Sequence, residues 1–188
     1  LESHGTAASK LAGPLPVPTP TSDSVLETGI KIVDLLAPIP HGGHVALFSP
    51  LAGVGVGVLL GQLSHNFSDM HNGHVIFSGQ EIGARTSESM KLLWGSELGL
   101  PDQMLNDRVS HFFTPEGADR KLRRRTIEAA SATANERVAE GHKVLHIVES
   151  HFAAEDAIPL LRPGGGDDST QITTLWVGHH TAGLEPEA

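Results

Sequence analysis

Apolar residues along the chain form short runs that alternate with segments of helical period. Five apolar runs predict buried strands, at residues 44–48, 74–78, 109–113, 143–148 and 172–177. Between them, apolar residues recur at helical spacing near residues 58–63, 90–97 and 118–140. In the last segment one stripe is formed by Ile127, Ala130, Ala134 and Val138. Gly141 follows that stripe and predicts the end of the helix.

This alternation predicts the fold class. Strands that alternate with helices favour an α/β domain with a largely parallel sheet of five or more strands and helices on both faces. In such folds ligands bind at the carboxyl ends of the strands. The strand ends are therefore where candidate chemistry is expected.

The two ends of the chain differ from this central part. Residues 1–24 are rich in small and polar residues and contain four alternating prolines, Pro14, Pro16, Pro18 and Pro20. Such a stretch cannot hold a helix and predicts an extended arm or linker. The predicted domain spans residues 25–180, and residues 181–188 form a tail.

Composition narrows the range of partners. The net charge of −9 disfavours nucleic acid as the main partner, because a nucleic-acid binder needs a basic face to neutralise phosphates. The lack of cysteine excludes disulfides and thiolate metal sites and is compatible with a reducing, intracellular compartment. No apolar run approaches the roughly 20 residues that cross a bilayer, so direct membrane insertion is not expected.

A glycine-rich segment follows the first predicted strand. Residues 49–57 read Ser-Pro-Leu-Ala-Gly-Val-Gly-Val-Gly and lead into a helical segment. A strand, a glycine-rich loop and a helix together can bind phosphate through backbone N–H groups and the helix N-terminus. A working loop also needs a lysine for the outer phosphates and a hydroxyl for Mg²⁺. Here Gly55 is followed by Val56 and Gly57, so both groups are absent.

The residues around this loop resemble the catalytic beta subunit of the rotary ATP synthase. The match comprises residues 26–38 (Leu-Glu-Thr-Gly-Ile-Lys-Ile-Val-Asp-Leu-Leu-Ala-Pro), Gly42-Gly43, Leu47-Phe48 and residues 52–55, with looser similarity at residues 77–86, 117–118 and 144–152. The resemblance covers about residues 25–180 and implies the RecA-like P-loop nucleotide-binding domain of that family.

Carried over residue by residue, the resemblance implies a degenerate phosphate-binding segment. Its six residues are Ala52, Gly53, Val54, Gly55, Val56 and Gly57. The family's lysine corresponds to Val56 and its Mg²⁺-binding threonine to Gly57. Backbone N–H groups of the segment remain available to a phosphate.

The catalytic carboxylates of the family correspond to two further places. The general-base glutamate precedes an Arg-Thr pair, which here begins at Arg85 and is preceded by Ala84. Glu81 lies three residues earlier and would substitute only if the loop rearranged. The metal-binding aspartate corresponds to Glu149, which keeps a carboxylate able to contact Mg²⁺ through water. Arg85 is a candidate anion ligand or a member of a structural ion pair.

These losses bear on catalysis. Phosphoryl transfer depends on positioning and charge stabilisation, and removal of one such group commonly lowers the rate about 10²–10³-fold. With the lysine, the hydroxyl and the base all replaced, useful hydrolysis is not expected, even though such effects are not additive. ATP or ADP with Mg²⁺ stays a candidate ligand that the protein does not require.

Two further groups of polar residues have structural interpretations, and one of them also has a functional interpretation. Five basic residues lie near the start of the long predicted helix, Arg120, Lys121, Arg123, Arg124 and Arg125. They form either a solvated helix face or a contact to an acidic neighbouring subunit, and the scarcity of aromatic residues disfavours a nucleic-acid site. Lys31 and Asp34 are expected to help the first helix pack on the core.

The twelve histidines do not predict a metal site. His71 and His74 are three residues apart and His179 and His180 are adjacent, but neither pair has a third ligand at convincing spacing. On sequence alone, His146 and His151 flank Glu149 and are expected near the presumed site.

Three functions remain open at this point. The first is a non-catalytic nucleotide-binding-type domain that acts as a structural, regulatory or subunit-binding module, with ATP synthase-like subunits or copies of itself as partners. The alternative is a residual ATP-binding protein with slow hydrolysis, using Glu81 or Glu149 as base and Arg85 to stabilise charge. The third is a chain that has lost its function. The resemblance implies a cytoplasmic protein, free or peripheral to a membrane complex.

Overall fold

The computed structural model of the protein describes residues 25–49, 54–80, 108–149 and 171–179, which form strands and helices. In chain order the elements are β1 (Val25–Leu26), α1 (Lys31–Leu36), β2 (Ile39–Pro40), β3 (Gly43–Ser49), α2 (Val54–Met70), β4 (His74–Gln80), β5 (Val109–Thr114), α3 (Arg120–Ala139), β6 (Val144–Glu149) and β7 (Ile172–His179). The arm at residues 1–24, the predicted helix at 90–97 and the tail at 181–188 lie outside the described residues.

One parallel sheet forms the centre of the fold. Its strands are ordered β3-β7-β6-β4-β5, and every neighbouring pair is parallel. The predicted α/β class and all five predicted strands are confirmed. Their nearly continuous apolar sequences are explained by burial on both faces, as is usual in parallel sheets.

α2 and α3 cover opposite faces of this sheet because the chain reverses direction between them. The connection through α2 leads from β3 across two strands to β4, whereas the connection through α3 leads back from β5 to β6. Since both connections are expected to be right-handed, they place their helices on opposite faces. The predicted coverage of both faces is confirmed.

Alternate strand residues divide the core into two layers. The α2 face contains buried residues of α2 and of every second strand position, Leu60, Leu63, Phe67, Val75, Phe77, Leu145, Ile147, Leu175 and Val177. The α3 face contains Ile76, Ala130, Ala134, Val144 and Ile172. The side-chain period of two along each strand produces this division.

The observed helices refine the predicted stripes. α3 buries Ile127, Ala130 and Ala134, as predicted, and ends one residue before Glu140, with Gly141 at φ +88°. In α2 the buried stripe runs through Leu60 and Leu63, whereas Val58 and Leu59 of the predicted stripe are only half-buried. Packing against β4 sets the rotation of α2 about its axis, which local sequence does not specify.

α1 departs from the expected packing on the core. It contains no buried residue, and Lys31 is exposed. Asp34 instead fastens the helix to the preceding turn, because its Oδ1 accepts hydrogen bonds from the backbone N and the Oγ1 of Thr28 at 2.9 and 2.6 Å. Lys31 therefore does not help to pack α1 as expected, whereas Asp34 holds α1 through the buried Thr28 and Val33 packs on the core.

The β1–α1–β2 segment is held against α2 by polar contacts near the end of that helix and by apolar burial. Asn66 Nδ2 donates to the carbonyl of Thr28 at 2.8 Å, and His71 Nε2 donates to the carbonyl of Glu27 at 2.7 Å. Leu26 and Ile39, which pair across β1 and β2, also hold the segment in place, because both side chains are buried in the core of the α2 face. Within the described residues, none of the helices is both long and apolar enough to cross a membrane.

Candidate functional site

The carboxyl ends of the parallel strands form one edge of the sheet, where ligands of such folds bind. β3 leads from this edge towards α2, and β6 ends here at Glu149. β7 lies between β3 and β6, so the two strand ends are about 10 Å apart, twice the usual spacing of neighbouring strands. The start of α2 and the Glu149 carboxylate therefore lie at the same edge.

Residues 52–57, which the sequence resemblance predicts as a degenerate phosphate-binding segment, reach into the first turn of α2. The helix begins at Val54, and Gly55, Val56 and Gly57 follow within it. Val56 is half-buried and packs against the apolar cluster of the α2 face. Ala52 and Gly53 lie outside the described residues.

The start of α2 thus offers backbone groups without supporting side chains. The first backbone N–H groups of a helix have no partner within the helix and carry partial positive charge. No acidic side chain in the first turn neutralises that charge. Val56 and Gly57, however, supply neither a cation nor a hydroxyl to hold a phosphate and its metal ion.

Glu149 lies at the end of β6 against the neighbouring strand β4. The side chain is half-buried, and its Oε2 accepts a hydrogen bond from the backbone N of Gln80 at 3.3 Å. The carboxylate is therefore positioned at the strand ends by the main chain of β4. A carboxylate in this place can accept further hydrogen bonds or contact a hydrated cation.

Gly79 makes the position of this carboxylate possible. A Cβ atom at Gly79 would lie 2.8 Å from Glu149 Oε2 and 2.8 Å from Phe113 Cε1. Distances this short to two side chains cannot be accommodated without a shift. Glycine at this strand position lets Glu149 approach the backbone of β4 closely.

An aromatic cluster extends from this point along the same face of the sheet. Phe77, His111 and Phe113 are stacked with ring centroids 5.9 to 6.3 Å apart. Phe113 pairs with Gly79 across β4 and β5, so the cluster ends beside the Glu149 carboxylate. One side of the candidate site is consequently formed by aromatic rings.

The remaining predicted site residues are not brought into this arrangement by the described structure. Glu81, Ala84 and Arg85 lie within residues 81–107, outside the described part of the chain. Glu81 follows directly after Gln80, the residue whose backbone binds Glu149. The substitution of Glu81 for the missing base stays a prediction.

His146 does not belong to the site, contrary to the expectation from its closeness in sequence to Glu149. It lies three positions earlier on β6, so its side chain is on the α3 face, where it is buried and hydrogen-bonded to Ser78 Oγ at 2.7 Å. Burial lowers the pKa of the His146 imidazole to about 4. His151 lies outside the described residues.

His71 and His74, the pair spaced three residues apart, make contacts with other groups of the protein. His71 contacts the carbonyl of Glu27, and the His74 ring lies against His142 with centroids 4.6 Å apart. Desolvation by burial, with help from His142, lowers the pKa of His74. Across the described parts of the chain, no group of three or more histidine or acidic side chains is arranged to hold a metal ion.

Some of the basic residues at the start of α3 bind other groups of the protein, and several are exposed to solvent. Arg123 donates to the carbonyl of Ala118 at 2.7 Å, and Arg124 forms an exposed ion pair with Glu128 at 2.9 Å. Lys121 and Arg125 are exposed. Two members of the cluster, Arg123 and Arg124, therefore make contacts within their own chain near the start of α3.

Two residues of the site were missed in the sequence, Gly79 and Phe113. Gly79 follows the predicted strand at residues 74–78 directly, where a glycine can end a strand as readily as accommodate a neighbour. Phe113 reads as an ordinary apolar strand residue. Their role depends on β5, β4 and β6 lying side by side, which local sequence does not show.

Comparison with known proteins identifies the fold. No protein-family model matches the sequence. Among solved structures, the unique ATP synthase subunit NeqB from Nanoarcheaum equitans is similar, with a TM-score of 0.59 and 15% identity over 84% of this chain and 46% of that chain. The ATPase EscN, solved with its central stalk EscO from the type III secretion system of enteropathogenic E. coli, has a TM-score of 0.60 and 19% identity over 87% of this chain and 45% of that chain.

The fold is RecA-like. Its five-stranded parallel sheet with helices is shared with both ATPase structures. The chain spans less than half the length of either of those chains. At these identities the likeness is one of fold alone.

Proposed function

We propose that this chain is a RecA-like module that does not hydrolyse ATP and acts by binding other protein subunits. The observation that carries the proposal is the first turn of α2. There Val56 packs on the core and Gly57 has no side chain, in the positions where lysine and a hydroxyl are needed. A triphosphate at this helix start would meet backbone N–H groups but no cationic side chain of the turn.

The residues at this edge fit Mg-nucleotide incompletely. Glu149 has the chemistry to hold a hydrated Mg²⁺, since hard cations prefer oxygen ligands. The hydroxyl that would share the metal ion is replaced by Gly57, and the lysine that would offset phosphate charge by Val56. We therefore assign no catalytic step to a bound nucleotide, and expect binding to be weak.

Protein subunits are the partners that the fold comparison favours. NeqB is described as an ATP synthase subunit, and EscN as an assembled ATPase in complex with a central stalk. A domain that keeps this scaffold but lacks the phosphate-binding side chains retains surfaces for assembly rather than catalysis. An ATP synthase-like subunit or a second copy of this chain is the proposed partner.

Calorimetric titration with Mg-ADP and Mg-ATP tests the nucleotide half of the proposal. We expect no resolved binding up to millimolar nucleotide, because the backbone groups alone leave the phosphate charge poorly compensated. Micromolar binding by the unaltered chain would contradict this. It would show that the segment around Gly55 still functions as a phosphate site.

Restoring the lost groups gives a sharper test. The double substitution Val56→Lys and Gly57→Thr should produce measurable Mg-ADP binding, because it adds the cation and the hydroxyl to the first turn of α2. Asp69→Lys is the matched control, since it adds a lysine near the far end of the same helix. Equal gains in both variants would indicate non-specific attraction of the anion.

Light scattering coupled to size exclusion tests the assembly half. We expect a species larger than one chain, either alone at high concentration or with added ATP synthase-like subunits. A strict monomer that binds none of these subunits would count against the module, whatever the calorimetry shows.

Slow ATP hydrolysis is the second candidate function, and the position of Glu149 supports it. Its carboxylate is held at the strand ends by the backbone N of Gln80, where a base or a metal-binding group would act. If this function operates, phosphate release should disappear in Glu149→Gln and persist in Glu128→Gln, which alters an exposed carboxylate on α3. Release that is absent from the unaltered chain would exclude it.

A further inference from the structure

β3 lies at one edge of the five-stranded sheet. Among the described strands only β7 pairs with it, in parallel register from Gly43 to Ser49. Along the described chain, the other side of β3 therefore offers backbone N–H and C=O groups of the kind that join strands elsewhere in the sheet. The strand has seven residues and is about 23 Å long, which is enough for several further hydrogen bonds.

Side chains of β3 remain accessible where those of the neighbouring strand are buried. Ala46 is exposed, and Val45 and Leu47 are half-buried. On the same face of the sheet as Val45 and Leu47, the side chains of Leu175 and Val177 of β7 are only 3% and 2% exposed. Burial is thus lost within one strand spacing, about 4.8 Å, and a boundary of the core lies at β3.

β3 lacks the features that usually keep the sheet edges of separate molecules apart. Natural edge strands are protected by charged residues, above all lysine, by proline or by bulges. The seven residues of β3, Gly-His-Val-Ala-Leu-Phe-Ser, include no proline and no Asp, Glu, Lys or Arg. Their pairing with β7 is one to one along the whole strand, without a bulge. An edge strand of this composition is suited to pairing with a further strand.

The charge distribution around β3 favours a second copy of this chain as the source of that strand. Each chain carries a net charge of −9, so two copies repel each other unless they meet at a locally uncharged surface. Residues 35–68, which include β2, β3 and most of α2, contain no Asp, Glu, Lys or Arg. The opposite edge strand, β5, lies between charged residues, with Arg108 directly before it and Glu116 two residues after it. β3 is therefore the edge at which two copies can approach with the least repulsion.

The sequence of β3 is also compatible with two-fold pairing. A two-fold axis perpendicular to the sheet makes the two β3 strands antiparallel and sets one residue opposite its own copy. Ala46 is the central residue of β3, so an axis at Ala46 pairs all seven residues, and its small side chain leaves room there. This register sets Val45 opposite Leu47 of the second copy, where the two half-buried side chains cover each other.

We propose that two copies of this chain pair antiparallel through β3, with Ala46 at the two-fold axis, and join their five-stranded sheets into one sheet of ten strands. This inference rests on the assembly half of the proposed function, to which it assigns one surface and one partner. Because antiparallel strands end at opposite edges of a sheet, the candidate sites of the two copies lie at opposite edges of the joined sheet.

Charge substitutions at Ala46 test the pairing in the full chain by analytical ultracentrifugation. Ala46→Lys sets two like charges opposite each other at the axis and should raise the dissociation constant of the dimer at least about ten-fold, as should Ala46→Glu. An equimolar mixture of the two variants should form dimers again, because lysine then faces glutamate, and this recovery also shows that both variants fold. Ala129→Lys is the matched control, since it makes the same change of charge at an exposed alanine of α3 and should leave the dimer unchanged.

A cysteine at the same position gives a second measurement, because the chain contains no cysteine of its own. Opposed residues of antiparallel strands have Cα atoms about 4.5–5.5 Å apart, which is within the range that a disulfide bridges. Mild oxidation with oxidised glutathione should therefore link Ala46→Cys into dimers. Ala129→Cys is the control and should give few dimers under the same conditions.

The outcomes separate this inference from the proposed function. Dimers that persist unchanged in Ala46→Lys, or equal disulfide yields at positions 46 and 129, would overturn pairing through β3 and leave assembly through another surface intact. An unaltered chain that stays monomeric at every concentration would also overturn the inference. If that monomer binds ATP synthase-like subunits, the proposed function stands, and if it binds none, both fail.

Discussion

α1 and α3 are both amphipathic, yet they turn their apolar residues in opposite directions. α3 has twenty residues, is capped by Asp119 and buries Ile127, Ala130 and Ala134 against the sheet. α1 has six residues, starts after Ile30 without a side-chain cap and buries none of its residues. A helical period in the sequence therefore predicts a stripe of apolar residues, but it does not predict whether that stripe faces the core or the solvent.

The two helices are also held in place by different forces. α3 is stabilised by apolar burial on the sheet and by its own length, because isolated helices shorter than about 12–15 residues are marginal in water. α1 is far below that length and depends on the hydrogen bonds between Asp34 and Thr28. Replacing buried apolar residues of α3 should therefore destabilise the protein, whereas in α1 the damaging substitutions should be those of polar residues.

The largest expected effect comes from truncating the buried stripe of α3. Ile127→Ala should lower the free energy of unfolding by about 2–5 kcal/mol, because it leaves a cavity between α3 and the sheet. Leu36→Ala on α1 should lower it by less than about 1 kcal/mol, because that side chain is largely exposed. Denaturant unfolding measures both, and similar losses in the two variants would erase the contrast between the helices.

Acid should weaken the α3 face of the sheet before it weakens the attachment of α1. Burial lowers the pKa of His146 from 6.5 to about 4, so the unfolded chain binds the proton more readily than the folded chain. The stability contributed by neutral His146 is complete above pH 6.5 and is lost as the pH falls towards 4, at up to about 1.4 kcal/mol per pH unit.

Asp34 responds at lower pH, with the sign typical of a carboxylate. Hydrogen bonds from the Thr28 hydroxyl and backbone lower the pKa of Asp34 from 3.8, so the stability that Asp34 contributes is present above pH 3.8 and is lost below it.

The contribution of His146 is tested at higher pH. Between about pH 7 and pH 5 the free energy of unfolding should fall less in His146→Gln than in the unaltered chain, because the variant has no imidazole at this position. His65→Gln, on α2, is the control. An equal reduction of the pH dependence of the unfolding free energy in that variant would show that His146 is not the cause.

Removing the carboxylate of Asp34 should loosen α1 without opening the sheet. Asp34→Ala deletes the acceptor for two hydrogen bonds from Thr28, a loss of about 1–3 kcal/mol. Amide exchange should accelerate in α1 while β4 and β6 stay protected. Asp69→Ala removes an exposed carboxylate from α2 for comparison, and general loss of protection in Asp34→Ala would show that α1 supports the whole fold.

A smaller effect than that of Asp34→Ala is expected at the start of α3. Asp119 Oδ1 accepts the N–H of Leu122 at 2.7 Å, and Asp119→Ala should cost about 1 kcal/mol. Asp119→Asn keeps an acceptor in the same place and should cost much less. Equal thermal shifts in the two variants would show that the charge of Asp119, rather than its capping bond, stabilises the helix.

Much of the architecture was predictable from local pattern. The strand runs and the stripe of α3 are properties of a few consecutive residues, and the structure reproduces them with small shifts in their ends. The rotation of α2 and the outward face of α1 were not predictable, since each depends on neighbours that are distant in sequence. The same limit applies to the candidate site, where the need for glycine at position 79 arises from side chains of β5 and β6.

The sequence by itself determined the alternation of strands and helices, the absence of a lysine and a hydroxyl at Val56 and Gly57, and the presence of a carboxylate at Glu149. Only the tertiary structure decided that β7 separates β3 from β6, that Glu149 lies over Gly79 and that His146 is on the opposite face. The reason is physical. Side-chain period is fixed by each residue's own backbone, whereas strand order and the facing of helices are fixed by contacts between segments far apart along the chain.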